Sequence, residues 1–196
     1  MLFAMLPKQS AKKQAKPRPF DFASLQTRIV AASTKGFADL ARLSPKDPVC
    51  SFALYSDDGA MTVCPSFDTT AKLAERLASS AGDLSYKFCP PEWAYESKGA
   101  DREFNRICDD VGTFVMKIEE LEVEFSAFRD QLFETCLSAL DELRAAPRFP
   151  PAVLLMFDVS DSNISKAKQL ARMKRLNPGS PHLAEFSRWA KSWAKA

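Results

Sequence analysis

One histidine, His182, and five cysteines, Cys50, Cys64, Cys89, Cys108 and Cys136, are the residues that could ligate a soft metal or form a nucleophile–base pair. Structural zinc sites draw on ligand pairs a few residues apart, whereas the closest cysteines here are Cys50 and Cys64, so no metal site is read. An odd cysteine count without CxxC also fits a disulfide scaffold poorly. A Cys–His pair or a Ser–His–Asp triad would have to recruit His182, which follows Pro181 in a basic segment. The chain has no GxSxG, no GxxxxGK[ST] and no GxGxxG, and six glycines leave little material for a phosphate loop. No cofactor is expected.

Carboxylates are more plentiful. Glu92 and Glu96 flank Trp93 and Tyr95 in PPEWAYE, and a helix after Pro90-Pro91 would put both on one face as a candidate acid/base pair. The simpler reading seats Trp93 in the core and lets the glutamates bond nearby amides or arginines. Asp158 and Asp161 close an apolar stretch, where a carboxylate can face a ligand, although Asp161 can also cap the next helix. An enzyme around Glu92, Glu96 and Asp158 ranks below the binding readings developed next.

The elements that must position these groups follow from periodicity. Asp21 caps a helix whose stripe runs from Phe22 to Leu43; Gly36 weakens its later turns, and Pro45 and Pro48 close the segment. Val49–Ser56 and Ala60–Ser66 flank Asp57-Asp58-Gly59, a favoured hairpin turn that would pair Leu54 with Val63. That register puts Phe52, Leu54, Met61 and Val63 on one face, and Ala53, Tyr55, Thr62 and Cys64 on the other. Asp68 is read as the cap of a short helix ending at Gly82, and Tyr86-Lys87-Phe88 as a short strand. A helix begins at Asp101, and one long amphipathic helix is expected near 115–145, with Cys136 on its apolar stripe. Residues 152–159 (AVLLMFDV lies within this stretch) read as a buried central strand. Asp161, Ser162 or Asn163 would cap the next helix, and a last helix carries Phe186, Trp189 and Trp193. The fold class is α+β: a small, mostly antiparallel sheet, hairpin 49–66 plus strand 152–159, packed against several helices.

The formal net charge of +2 hides segregation. Residues 1–19 carry five basic and no acidic residues, and 162–196 carry eight basic residues against Glu185. The stretch 20–161 is left with 14 basic and 24 acidic residues. We therefore expect a flexible basic tail over 1–19 and a single α+β domain over 20–196 with a basic helical C-terminal segment, about 162–196. That segment either contacts phosphates of a nucleic acid or meets the acidic helix of its own body, which would repel a polyanion. No apolar run approaches bilayer length and the Leu2–Leu6 stretch is short for a signal segment, so no membrane span and a cytoplasmic location are expected.

Three blocks, FALYSDDGAMTVCPSFDT at 52–69, YKFCPPEWAYES at 86–97 and LLMFDVSDS at 154–162, together with RMKRLNP at 172–178, resemble the bacterial domain-of-unknown-function family 4303 over approximately 20–180. The resemblance implies an α+β fold, no catalytic residues, and a link to polymorphic-toxin and secretion-system loci, where such proteins are proposed to be immunity proteins. The leading expectation is thus a non-enzymatic protein that binds and neutralises a cognate toxin with a basic surface. Candidate contacts are the hairpin-turn aspartates Asp57 and Asp58 and the acidic stretch Asp109, Asp110, Glu119 and Glu120. Trp93 and Tyr95, with Glu92 and Glu96 beside them, would add aromatic anchors if exposed. The alternative is a nucleic-acid-associated accessory protein using the basic C-terminal helices.

Overall fold

A computed structural model describes residues 19–161 and 164–193. The expected tail over 1–19 falls almost wholly outside them, as do Ser162 and Asn163. Eleven elements follow in order: α1 (Phe22–Leu43), β1 (Val49–Asp57), β2 (Cys64–Thr69), α2 (Thr70–Ser79), α3 (Ser85–Phe88), β3 (Tyr95–Glu96), α4 (Asp101–Val115), α5 (Phe125–Ala145), β4 (Leu154–Ser160), α6 (Lys166–Leu176) and α7 (Pro181–Ser192). A 3-10 turn at Pro90–Glu92 precedes β3. The fold is α+β, as expected.

The sheet runs β3-β2-β1-β4. β1 pairs antiparallel with β2 and parallel with β4, and β2 pairs antiparallel with β3, so the sheet is mixed. β1 is one of the two inner strands and is buried along most of its length. β4, expected at the centre, lies at the sheet edge. Its burial comes from α6 and from Asn177, whose side chain accepts from Leu155 N (2.9 Å) and donates to Leu155 O (2.7 Å), taking the place of a neighbouring strand.

Alternation sorts the sheet's side chains into two cores. Phe52, Leu54, Phe67, Leu155 and Phe157 pack with α1, α4 and α5. Ala53, Leu154 and Met156 pack on the other face with Phe88, Trp93, Met173 and Phe186. α1 starts at the expected cap, Asp21, whose carboxylate accepts from Ser24 N at 2.9 Å. Gly36 does not interrupt it. A Cβ there would lie 3.2 Å from Gly99 O, and Gly99 itself has φ +82°, so the two glycines let the loop before α4 cross close over α1.

Five local expectations change. The hairpin register is offset by two residues, Leu54 facing Pro65 and Tyr55 facing Cys64, which keeps Phe52 and Leu54 on the face opposite Ala53 and Tyr55, whereas Met61, Thr62 and Val63 leave the ladder. The cause is Asp57: its carbonyl accepts from Ala60 N (2.9 Å), and its carboxylate accepts from Met61 N (3.2 Å) and Thr62 Oγ1 (2.6 Å), holding 58–63 as a loop. Asp68 caps nothing; it is buried in β2 and ion-paired with Arg76, while Asp47 Oδ1 takes the Ala71 N–H at the start of α2 (2.8 Å). Tyr86–Phe88 is helical. The long helix near 115–145 is two elements: α4 ends at Val115, a turn region follows with Glu122 at φ +53°, and Glu124 caps α5 through Ser126 N and Ala127 N. Ile118 is buried within the turn, so its place in the apolar stripe does not require a helix. At the C-terminal side, Ser165, not Asp161, caps α6 through Lys168 N.

Candidate functional site

The hairpin loop and α4 form one end of the molecule. Val63 N–H points to Cys108 Sγ (3.4 Å), and a Cβ at Gly112 would lie 3.4 Å from the Met61 carbonyl oxygen. This brings the loop carrying Asp57 and Asp58 to the helix carrying Asp109 and Asp110. Asp57 is spent on its own turn, Asp58 pairs with Arg129 (3.2 Å), and Asp110 pairs with Arg28 (2.6 Å). Asp109, Glu119 and Glu120 are exposed and make no ion pair among the described residues. Met116, between the two acidic runs, is 75% exposed. The end of α4 and the turn after it therefore carry unpaired carboxylates and one exposed apolar side chain, with Lys117 exposed between them.

The PPEWAYE segment is divided among environments. Trp93 is 3% exposed, packed in the second core with its indole N–H unpartnered, so it is no surface anchor. Tyr95 is half-buried, its hydroxyl 3.3 Å from Ser44 Oγ. Glu92 ends the 3-10 turn and Glu96 sits on edge strand β3, so they share no helical face. Glu96 pairs with Ser66 on β2, whereas Asp158 is on β4, three strand spacings across the sheet or ~14 Å at ~4.8 Å each. The three carboxylates do not converge.

What the sequence did not reveal is a cavity of about 140 Å³ between β4, α6, α7 and the end of α3. Phe88, Met156, Met173 and Phe186 line its interior with Trp189 and Trp193, and Asp158, Cys89, Gln169 and Arg172 supply its polar groups. Arg172 is 6% exposed, its guanidinium lying over the Phe157 ring at 4.8 Å, and its Nε and Nη1 are buried without a hydrogen-bond partner. Burial pushes the Asp158 carboxyl up, against the pull of Val159 N–H and Arg172. The Cys89 thiol is pushed up to about 11 by burial, with Asp158 and Glu92 adding to the effect. In the sequence Arg172 is one more cation on a basic helix; only the packing of α6 over the β4 edge removes it from solvent.

The cysteines contain one close pair. Cys64 and Cys108 Sγ are 4.0 Å apart, and Cys108 donating to Cys64 holds the Cys64 thiol down at about 7. Cys136 is buried, where an apolar setting raises its thiol to about 12. His182 Nε2 bonds the Ala152 carbonyl (3.1 Å), and burial lowers its basicity. Among the described residues no group of three or more His, Cys, Asp and Glu could hold a metal ion, and no helix is long and apolar enough to cross a membrane.

Much of the basic C-terminal charge is spent inside the molecule. Arg175 bridges Glu134 and Asp141 on α5, and Lys166 reaches the Trp193 carbonyl and lies over its ring. With Arg172 buried, Lys168, Lys174, Arg188 and Lys191 remain exposed.

A family model described as a domain of unknown function, DUF4303, matches residues 29–178. The chain belongs to that family. The matched DUF4303 region takes in the whole sheet, α4, α5 and α6, and it ends at Pro178, just beyond Asn177. Arg172 and Asp158 thus lie within it, while the α7 wall of the cavity lies outside. Searches of curated proteins and of solved structures find no match.

Proposed function

We propose that this DUF4303 protein is a non-enzymatic binding protein that neutralises a cognate bacterial toxin by covering its active surface. The observation that carries the reading is the surface of α4 and the turn after it: Asp109, Glu119 and Glu120 are exposed and unpaired, and Met116 in the same stretch is exposed. Such a surface complements a basic partner, as an enzyme acting on a polyanion would present. Unpaired carboxylates steer its approach, and a largely exposed apolar side chain gains by burial on contact. The resemblance to proteins of toxin loci points the same way. Of the aromatic residues first considered, Trp93 plays no part in this surface, and Tyr95, Glu92 and Glu96 lie apart from the hairpin end.

The nucleic-acid reading has less behind it, because Arg175 and Lys166 are engaged within the fold and Arg172 is buried. The test is co-expression with the product of the adjacent gene. A stable stoichiometric complex is expected on size exclusion, and reversing Asp109, Glu119 and Glu120 to lysine should slow association about tenfold at low salt, with a smaller effect on dissociation. Absence of a complex would overturn the proposal, and salt-sensitive retention of DNA or RNA in its place would favour the alternative.

A further inference from the structure

A buried guanidinium without an acceptor is a costly feature, since charge removed from water must be compensated by a partner. Arg172 has no carboxylate at ion-pair distance among the described residues, although Asp158 shares its cavity. Asp158 Oδ1 is turned to the Val159 N–H, 2.9 Å away. Arg172 and Asp158 both line the cavity, and the unpartnered Nε and Nη1 of the one and the carboxylate of the other do not satisfy each other. Gln169, which can do both, stands beside them, and aromatic rings surround all three.

That combination selects its occupant. A carboxylate would suit Arg172 and be repelled by Asp158; an ammonium would suit Asp158 and be repelled by Arg172. A neutral group with an acceptor and a donor side by side, as on the edge of a carboxamide or lactam, satisfies both. The walls favour a planar ring, and a volume of about 140 Å³ is close to that of apolar cavities known to admit a single benzene-sized ring.

We propose that the cavity between β4, α6 and α7 is a binding site for a one-ring planar amide, its carbonyl accepting from Arg172 and its N–H donating to Asp158. Pocket polarity and placement follow the usual plan of small-molecule sites, a mostly apolar hollow with a few convergent polar groups. The site is separate from the hairpin end and does not depend on toxin binding.

The test titrates the full chain with four probes of similar size, benzamide, benzoate, benzylammonium and toluene, followed by tryptophan fluorescence, since Trp189 and Trp193 line the cavity, and by ligand-observed NMR. Saturable benzamide binding about tenfold or more tighter than the other three is expected. R172M should abolish that preference, and D158N, which keeps the shape and removes the charge, should shift it towards benzoate. Thermal melts establish that the variants are folded; should R172M not fold, the D158N shift decides. No saturable binding of any probe, toluene binding as well as benzamide, a charged probe binding tightest to the unaltered protein, or an unchanged preference in the folded variants would each overturn the proposal.

Discussion

Replacing Asn177 by alanine tests whether α6 holds the β4 edge as described. The Asn177 side chain is buried and occupied on both sides: Oδ1 accepts from Leu155 N (2.9 Å) and from Arg144 Nη2 (3.0 Å), and Nδ2 donates to Leu155 O (2.7 Å). Arg144 keeps its bonds to the carbonyls of Val153, Pro150 and Leu176 after the substitution. Leu155 does not recover: its N–H and C=O face away from β1 in a fully buried residue, and both are stranded. At roughly 1–3 kcal/mol for each unsatisfied buried group, N177A costs about 2–6 kcal/mol, a large share of the stability of an ordinary domain, roughly 5–15 kcal/mol. Urea unfolding followed by circular dichroism reads the loss as a lower midpoint at unchanged slope. A loss below about 1 kcal/mol for N177A would refute the claim that this side chain substitutes for a strand.

Three further outcomes are expected. Burial raises the Asp68 carboxyl to about 6 despite Arg76, so the folded chain holds a proton there that the unfolded chain releases near pH 4. Stability from this group is present below pH 4 and lost as pH rises to 6, by about 3 kcal/mol; the stability difference between wild type and D68N across that window should show it, and a flat difference would contradict it. Cys64, its thiol held at about 7 by Cys108, should be the first cysteine alkylated by iodoacetamide at pH 7, ahead of Cys50, Cys89 and Cys136, and C108A should slow it, as peptide mass mapping would reveal. W93A should cost roughly 3–5 kcal/mol of stability, whereas W93F, which removes an unpartnered N–H, should cost far less and leave toxin binding unchanged; weakened binding by folded W93F would restore Trp93 as a contact.

What could be read from the residues was local. Asp21 and the stripe from Phe22 to Leu43 define α1 because cap and periodicity act within one helix. Strand alternation placed Phe52 and Leu54 opposite Ala53, and a two-residue slip preserves that. The slip itself was hidden, since it depends on how Asp57 spends its carboxylate. The break before α5 was hidden too, because Ile118 and Leu121 continue the apolar spacing through a turn. The parallel β1–β4 pairing joins segments about a hundred residues apart, and no local pattern reports it. The candidate site divides along the same line: the exposed carboxylates at Asp109, Glu119 and Glu120 are legible as charge, whereas Trp93 and Arg172 change meaning only when the helices close over them.

The most direct measurement of the proposed role is the toxic activity of the adjacent gene's product titrated with this protein. Loss of toxin activity at one equivalent, relieved when Asp109, Glu119 and Glu120 are reversed to lysine, is the expected result. Toxin that stays fully active with the protein in saturating excess would contradict the central claim.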